Sequence, residues 1–239
     1  MAGRSGRATR TRVILHCRDL GVRLDGRDVL RAVTVDLEAR TIAIVGDNGS
    51  GKSTFARVLA GLVRRDTGDV RVRGLDPERD AAEHRRRVAL VLSNPDAQIV
   101  MPVIADDVGF SLRAERLPRA ERAERVARAL ERFGLAELAE RSAHDLSGGQ
   151  KQLLALCGAF VRDPDLVVAD EPTAFLDARN ARRVADHLLA DAGHALILVT
   201  HDLTLARCCD AAVLFTDGGV RAAGAASAVV DEYERALVC

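Results

Sequence analysis

The sequence has no excess charge of either sign: 35 basic residues balance 35 acidic ones in 239. That balance leaves no electrostatic footprint for nucleic acid. No apolar run approaches the ~20 residues that a membrane-spanning helix requires, so any membrane role is expected to be peripheral and to pass through a partner. Met1 to Arg12 are small and basic without the apolar stretch of a secretory signal, and a disordered tail is expected over 1–12. The five cysteines, at 17, 157, 208, 209 and 239, have no metal-ligand spacing, and their odd number does not fit a disulfide framework. They read as reduced cysteines of a cytoplasmic protein, with Cys208-Cys209 as small buried hydrophobes. Convincing internal repeats are absent. Lysine is scarce: Lys52 and Lys151 are the only two in a chain that otherwise uses arginine.

Lys52 lies in Gly46-Asp47-Asn48-Gly49-Ser50-Gly51-Lys52-Ser53-Thr54, a phosphate-binding loop by its spacing. The apolar run Thr41 to Val45 precedes it and the helical run Phe55 to Ala60 follows, the strand, turn and helix order that such a loop needs. The glycines free backbone N–H groups to wrap phosphate oxygens, and the helix adds the positive end of its dipole. Lys52 is placed to neutralise the β and γ phosphates and Ser53 to ligate Mg²⁺. A lysine here, where arginine is used elsewhere, fits a need for a compact ammonium.

Along the chain, Val13 to Cys17 and Leu30 to Leu37 read as antiparallel strands around the turn Asp25 to Asp28. The loop helix is expected to run to about Leu62, Val70 to Arg73 to form an edge strand, and Val88 to Leu92 to be a strand buried on both faces. From Ser93 to about Leu146 charged helical sequence replaces the strands, with Arg122, Val126, Leu130 and Phe133 at helical spacing. A helix follows Ser147-Gly148-Gly149 to Val161, where Asp163-Pro164 stops it. Leu166 to Ala169, Ala195 to Thr200 and Ala211 to Phe215 resume the strands, with a helix over Ala178 to Leu189. Alternating strands and helices predict an α/β fold with a parallel core. The expected domain covers 13–225, with a core over about 13–93 and 160–225, a helical subdomain over about 94–159 and a short C-terminal helix over 226–239.

Three further segments carry chemistry. Leu166-Val167-Val168-Ala169 ends in Asp170-Glu171, at the strand end where α/β ligand sites lie. Asp170 is placed to hold Mg²⁺ opposite Ser53, and Glu171 to polarise the water that attacks the γ phosphorus. Val199-Thr200-His201-Asp202 repeats the pattern, and His201 can hydrogen-bond the γ phosphate and that water. In Leu146-Ser147-Gly148-Gly149-Gln150-Lys151-Gln152 a hydroxyl and two glycines open a helix, a second anion site; an ordinary helix N-cap accounts for Ser147 only.

Together these motifs resemble the ATP-binding-cassette ATPases over about Val13 to Gly224. The resemblance implies a P-loop NTPase with a RecA-like parallel-sheet core, antiparallel entry strands and a small α-helical subdomain. It implies ATP as substrate with Mg²⁺, and a head-to-tail pair with a second cassette, a copy or a paralogue. Ser147, Gly148, Gly149 and Gln150 would then act on the partner's nucleotide, and Asp177 would sit in the loop crossing between subunits. Two positions depart from the pattern. Leu24 stands where an aromatic usually stacks on adenine, so ATP over GTP rests on the family alone. Ser93 stands where a glutamine usually contacts Mg²⁺ and relays motion; either Ser93 acts through a water or Gln98 substitutes.

Asn94-Pro95-Asp96-Ala97-Gln98, with Pro102 and Asp107-Val108-Gly109-Phe110, looks like the energy-coupling-factor importer ATPases for vitamins and for cobalt or nickel. That resemblance implies peripheral attachment at the cytoplasmic face of the membrane, a transmembrane scaffold subunit met around Ser93, Asn94 and Gln98, and a substrate-binding membrane subunit. Gln98 to Pro102 and Pro172 to Asn180 most resemble the biotin-uptake branch. The alternatives are another class of cassette transporter ATPase, or a soluble cassette ATPase such as an iron–sulfur cluster assembly factor. The latter fits the length but should lack Asn-Pro-Asp-x-Gln.

Overall fold

The computed structural model describes residues 12–190 and 193–237. The expected N-terminal tail falls outside them, Arg12 apart, as does Cys239. The chain forms two compact units, one of residues up to Ala89, Asp165–Glu171 and Leu189 onward, the other of Leu90–Pro164 and Pro172–Leu188.

The first unit opens with β1 (Val13–Leu24) and β2 (Arg27–Ala39), followed by β3 (Thr41–Gly46) and β4 (Thr67–Val72). Strands β1, β2 and β4 make an antiparallel sheet of order β2-β1-β4. The first two are longer than their apolar runs. Register shifts between Cys17 and Leu20 and between Leu20 and Val22 break the alternation, and pairing resumes beyond them. Asp19 and Ala32 take positive φ there (49° and 46°), which an alternation rule does not anticipate.

The remaining strands are β5 (Val88–Val91), β6 (Leu166–Asp170), β7 (Ala195–Val199), β8 (Ala211–Thr216) and β9 (Gly219–Ala225). With β3 they form a sheet of order β5-β6-β7-β3-β8-β9. Strands β6, β7, β3 and β8 pair in parallel, and β9 closes the edge antiparallel to β8. Every residue of β3, β6 and β7 is buried, as continuous apolar runs in a doubly covered parallel sheet should be. Strand β5 lies at the sheet edge, carries the chain out of this unit and leaves Leu90 half-exposed.

Helix α1 (Lys52–Leu59) follows β3 and stops short of Leu62, because Gly61 turns at φ 75° and its N–H bonds Val58 O at 2.9 Å. Phe55 of α1 packs on Phe215 of β8 with ring centroids 4.9 Å apart. Helix α2 (Ala81–Arg87) buries His84, whose Nε2 bonds Leu59 O at 2.8 Å. Burial lowers the pKa of His84, so the ring is neutral and Nε2–H donates.

The second unit holds α3 (Ile104–Ser111), α4 (Arg119–Arg132), α5 (Gly148–Phe160) and α6 (Ala178–Leu189). Helix α6, expected in the core, groups here up to Leu188, as does Pro172–Asp177 before it. The reason is side-chain packing: His187 stacks on Phe133 at 4.4 Å between centroids, and Phe133 meets Phe160 at 5.8 Å. The last helices, α7 (Leu203–Arg207) and α8 (Ala226–Leu237), return to the first unit. Cys17, Cys157 and Cys209 are buried, and burial pushes each thiol up to about 12. Cys208 corrects the expectation of a buried pair: it is exposed, one step past α7, with Sγ on Thr204 O.

Candidate nucleotide-binding site

Parallel pairing brings the carboxyl ends of three strands side by side. Ile44 is level with Val199, and Val199 with Asp170. The next residues out are therefore the phosphate loop after β3, Glu171 after β6 and Thr200-His201 after β7, the position where ligands meet open α/β sheets. Backbone bonds lock this order, with Glu171 N–H on Val199 O (3.0 Å) and Thr200 N–H on Ile44 O (3.2 Å).

The loop is tight at its origin. Gly46 has φ 136°, and a Cβ there would lie 2.2 Å from Phe215 O, so only glycine lets β3 turn beside β8. Helix α1 begins at Lys52 with no side chain capping it, which leaves its first N–H groups for an anion. Lys52 is buried and curls back over the loop, Nζ donating to Gly46 O (2.8 Å) and Asp47 O (2.7 Å). Burial lowers its pKa, and Glu171, Asp47 and Asp170 work against that shift, so the ammonium sits among three carboxylates.

Ser53 Oγ donates to Asp170 Oδ1 at 2.8 Å, and Arg57 of the same helix approaches the other Asp170 oxygen at 3.7 Å. Glu171 faces His201, with Oε2 2.7 Å from Nδ1. Its backbone is left-handed at φ 51°, a strained setting that holds the carboxylate at the strand end. Thus Lys52-Ser53, Asp170-Glu171 and His201, three segments far apart in sequence, converge within one unit. Leu24, at the end of β1, is 40% exposed and pairs with Arg27 across the hairpin.

The second unit treats its motif residues differently. Ser147 caps α5 by accepting from Gln150 N–H (3.4 Å), while Gln150 Oε1 accepts from Ser147 N–H (2.9 Å). A capping box therefore accounts for Gln150 as well as Ser147, more than the sequence reading allowed to the cap. Gly148 opens on space, whereas a Cβ on Gly149 would strike the Asn180 amide at 2.4 Å. Asp177 holds that asparagine, accepting from its N–H and from Nδ2, both at 2.8 Å. These bonds lower the pKa of Asp177, which stays ionised.

Between Ser93 and Asp107, the side chains of Asn94, Gln98 and Asp107 are likewise spent locally. Asn94 caps the short 3₁₀ turn Pro95–Ala97 through Asp96 N–H (3.1 Å). Gln98 is sewn to β5, Oε1 accepting from Leu92 N–H (2.7 Å) and Nε2 donating to Leu90 O (2.9 Å). Asp107, unassigned from sequence, receives Val100 N–H and Met101 N–H at 2.7 and 2.8 Å. Lys151 bonds Asp96 at 2.8 Å, tying this loop to α5. Sequence reading also missed Tyr233 on α8, whose hydroxyl donates to Asp47 Oδ1 at 2.8 Å. Its one available signal was that it is the sole tyrosine of the chain.

A strand, phosphate loop and helix with an acidic pair two strands away define a nucleoside-triphosphate-binding protein. Comparison with known proteins narrows this: the profile of the ABC transporter family matches residues 30–174, and the chain belongs to that family. It is 42% identical over 209 residues to the energy-coupling factor transporter ATP-binding protein EcfA1 of Symbiobacterium thermophilum, covering 84% of this chain and 73% of that one. It is 36% identical over 216 residues to the biotin transport ATP-binding protein BioM of Rhizobium etli, covering 89% and 94%. Among solved structures it matches cbiO1 of Clostridium perfringens, part of the ABC transporter complex cbiONQ, with a TM-score of 0.81, 28% identity and 92% of each chain covered. The chain is an ATP-hydrolysing subunit of an ABC transporter. Among the described residues no helix is long and apolar enough to cross a membrane.

Proposed function

We propose that this chain is the motor of an energy-coupling-factor importer, and that it drives uptake of a vitamin, biotin first, or of cobalt or nickel. The observation that carries the motor reading is the convergence of Lys52, Ser53, Asp170, Glu171 and His201 at one sheet end. The importer type is supported by the similarity to EcfA1, BioM and cbiO1 over most of the chain.

In this reading Gly46 to Thr54 wraps the phosphates of ATP, and Lys52 exchanges its two carbonyl partners for phosphate oxygens. Glu171 accepts the proton of the attacking water, and His201, already bonded to it, holds that carboxylate in line. Ser53 and Asp170 fit Mg²⁺: they are two hard oxygen donors 2.8 Å apart. Mg²⁺ takes most of its remaining ligands from substrate and water rather than from a protein cage, and no group of three or more His, Cys, Asp or Glu side chains among the described residues forms such a cage. When bound, the ion neutralises charge that develops on the phosphates.

Ser147, Gly148, Gly149 and Gln150 serve the nucleotide of a second cassette, a copy or a paralogue, and Asp177 serves the interface. Phe175 supports that pairing: it is 98% exposed, at φ 62°, two residues before Asp177. A bulky apolar side chain held out in a strained conformation is suited to burial by a partner. Ser93, Asn94 and Gln98 mark the loop that meets the transmembrane scaffold, itself joined to a substrate-binding membrane subunit. The complex sits with this chain at the cytoplasmic face of the membrane.

The test is affinity capture of the tagged chain from detergent-solubilised native membranes, with mass spectrometry and an assay for bound biotin, cobalt and nickel. A scaffold and a small membrane protein co-purifying in fixed ratio, with cargo, is the expected result. Recovery of soluble partners alone would overturn the importer reading in favour of a cluster-assembly ATPase.

A further inference from the structure

Tyr233 is the only tyrosine of the chain, and it is spent on the phosphate loop. Its carrier α8 is firmly seated. Ala226, Val229 and Val230 are buried, and Arg207 clamps the helix by bonding both Asp231 (2.6 Å) and Glu234 (2.8 Å). From this base the hydroxyl donates to Asp47 Oδ1 at 2.8 Å. Burial, then the hydrogen bond to Asp47 and last its charge, push the phenol up to about 12, so it is a proton donor at any physiological pH.

Asp47 occupies an awkward place for an acid. It is the first residue after Gly46, and its main-chain oxygen already accepts from Lys52 Nζ (2.7 Å) and Ser50 N–H (3.2 Å). The backbone of this loop is the cradle for a polyanion, yet Asp47 adds a carboxylate to it. Left to rotate, that carboxylate would oppose the incoming phosphates by like-charge repulsion and compete with them for Lys52. Bonded to Tyr233, it is committed to the α8 side of the loop.

We propose that Tyr233 is a positioning residue for nucleotide binding, a latch that keeps the Asp47 carboxylate off the phosphate path. The inference rests on reading Gly46 to Thr54 as the phosphate-binding loop. It assigns α8, which lies beyond the matched family region of residues 30–174, a direct part in nucleotide affinity.

The experiment measures MgATP affinity of the full chain by calorimetry in a Glu171→Gln background, for Tyr233→Phe, Asp47→Asn and the pair together. Tyr233→Phe is expected to weaken binding about three- to tenfold, the scale of one hydrogen bond to a charged group in a partly wet site. Asp47→Asn is expected to bind at least as tightly as its parent, and adding Tyr233→Phe to it should cost nothing more. An equal loss from Tyr233→Phe in both backgrounds, or no loss with Asp47 present, would overturn the latch. A fall in melting temperature with unchanged affinity would do the same by reducing Tyr233 to a structural contact. Lys52→Ala separates the two levels: if it leaves affinity untouched, the phosphate-loop reading fails and not merely the latch.

Discussion

The two units use their motif residues in opposite ways. In the first, functional side chains bond each other: Ser53 with Asp170, and Glu171 with His201. In the second they bond their own helix starts, Ser147 with Gln150 and Asp177 with Asn180, while Phe175 projects into solvent. A site whose members already face one another can bind a ligand within one chain. A set of capped helix ends and an exposed aromatic is a surface, and in the proposed reading its chemistry waits on a second cassette placed against it.

Substitutions can break that contrast. If Glu171 is the proposed proton acceptor, Glu171→Gln should cut ATP turnover by at least ~10² while nucleotide binding survives. Steady-state hydrolysis and nucleotide titration on one preparation check both halves; near-normal turnover would strip Glu171 of its role. Ser147→Ala should lower turnover about tenfold or more if the hydroxyl contacts a partner's nucleotide, and leave MgATP affinity of the isolated chain unchanged. The lost cap should also destabilise the chain by ~1 kcal/mol. If turnover falls only as far as stability predicts, Ser147 is a cap and the contrast between the units collapses.

Phe175→Gly gives two opposite signs. Relief of the left-handed backbone should stabilise the free chain by ~1 kcal/mol, while ATP-dependent dimerisation in the Glu171→Gln background should weaken, as read by sedimentation. A more stable chain that dimerises as before would show that Phe175 is not at the interface. The smallest effect concerns a structural knot of the first unit. Burial would raise the pKa of Asp76, but Arg65 bonds it at 2.8 and 3.0 Å and the N–H groups of Arg79 and Glu78 also reach it, which brings it down to about 2. A depressed folded-state carboxylate gives stability above its unfolded pKa of 3.8 that is lost as pH falls toward 2. Melting temperature should therefore drop across that window, and Asp76→Asn should flatten this part of the fall.

The core strands were legible because continuous valine, isoleucine and leucine runs have few other places to go. The phosphate loop was legible because its glycines and lysine are demanded by local geometry, as at Gly46 beneath Phe215. Much of the fold's detail was not. The bulges of β1 and β2 hide in charged stretches, and α6 joined the second unit through His187 on Phe133, a contact between residues far apart in the chain.

The sequence by itself determined the motif set, the alternation of strand and helix and the residue types that phosphate chemistry requires, since each follows from local periodicity or backbone freedom. Only the tertiary structure decided which polar groups bond one another. Glu171 meets His201 30 positions on, Ser53 meets Asp170 117 positions on, and Tyr233 reaches back 186 positions to Asp47. Such pairings depend on how strands are ordered and helices seated, and no window of sequence contains both partners of the last.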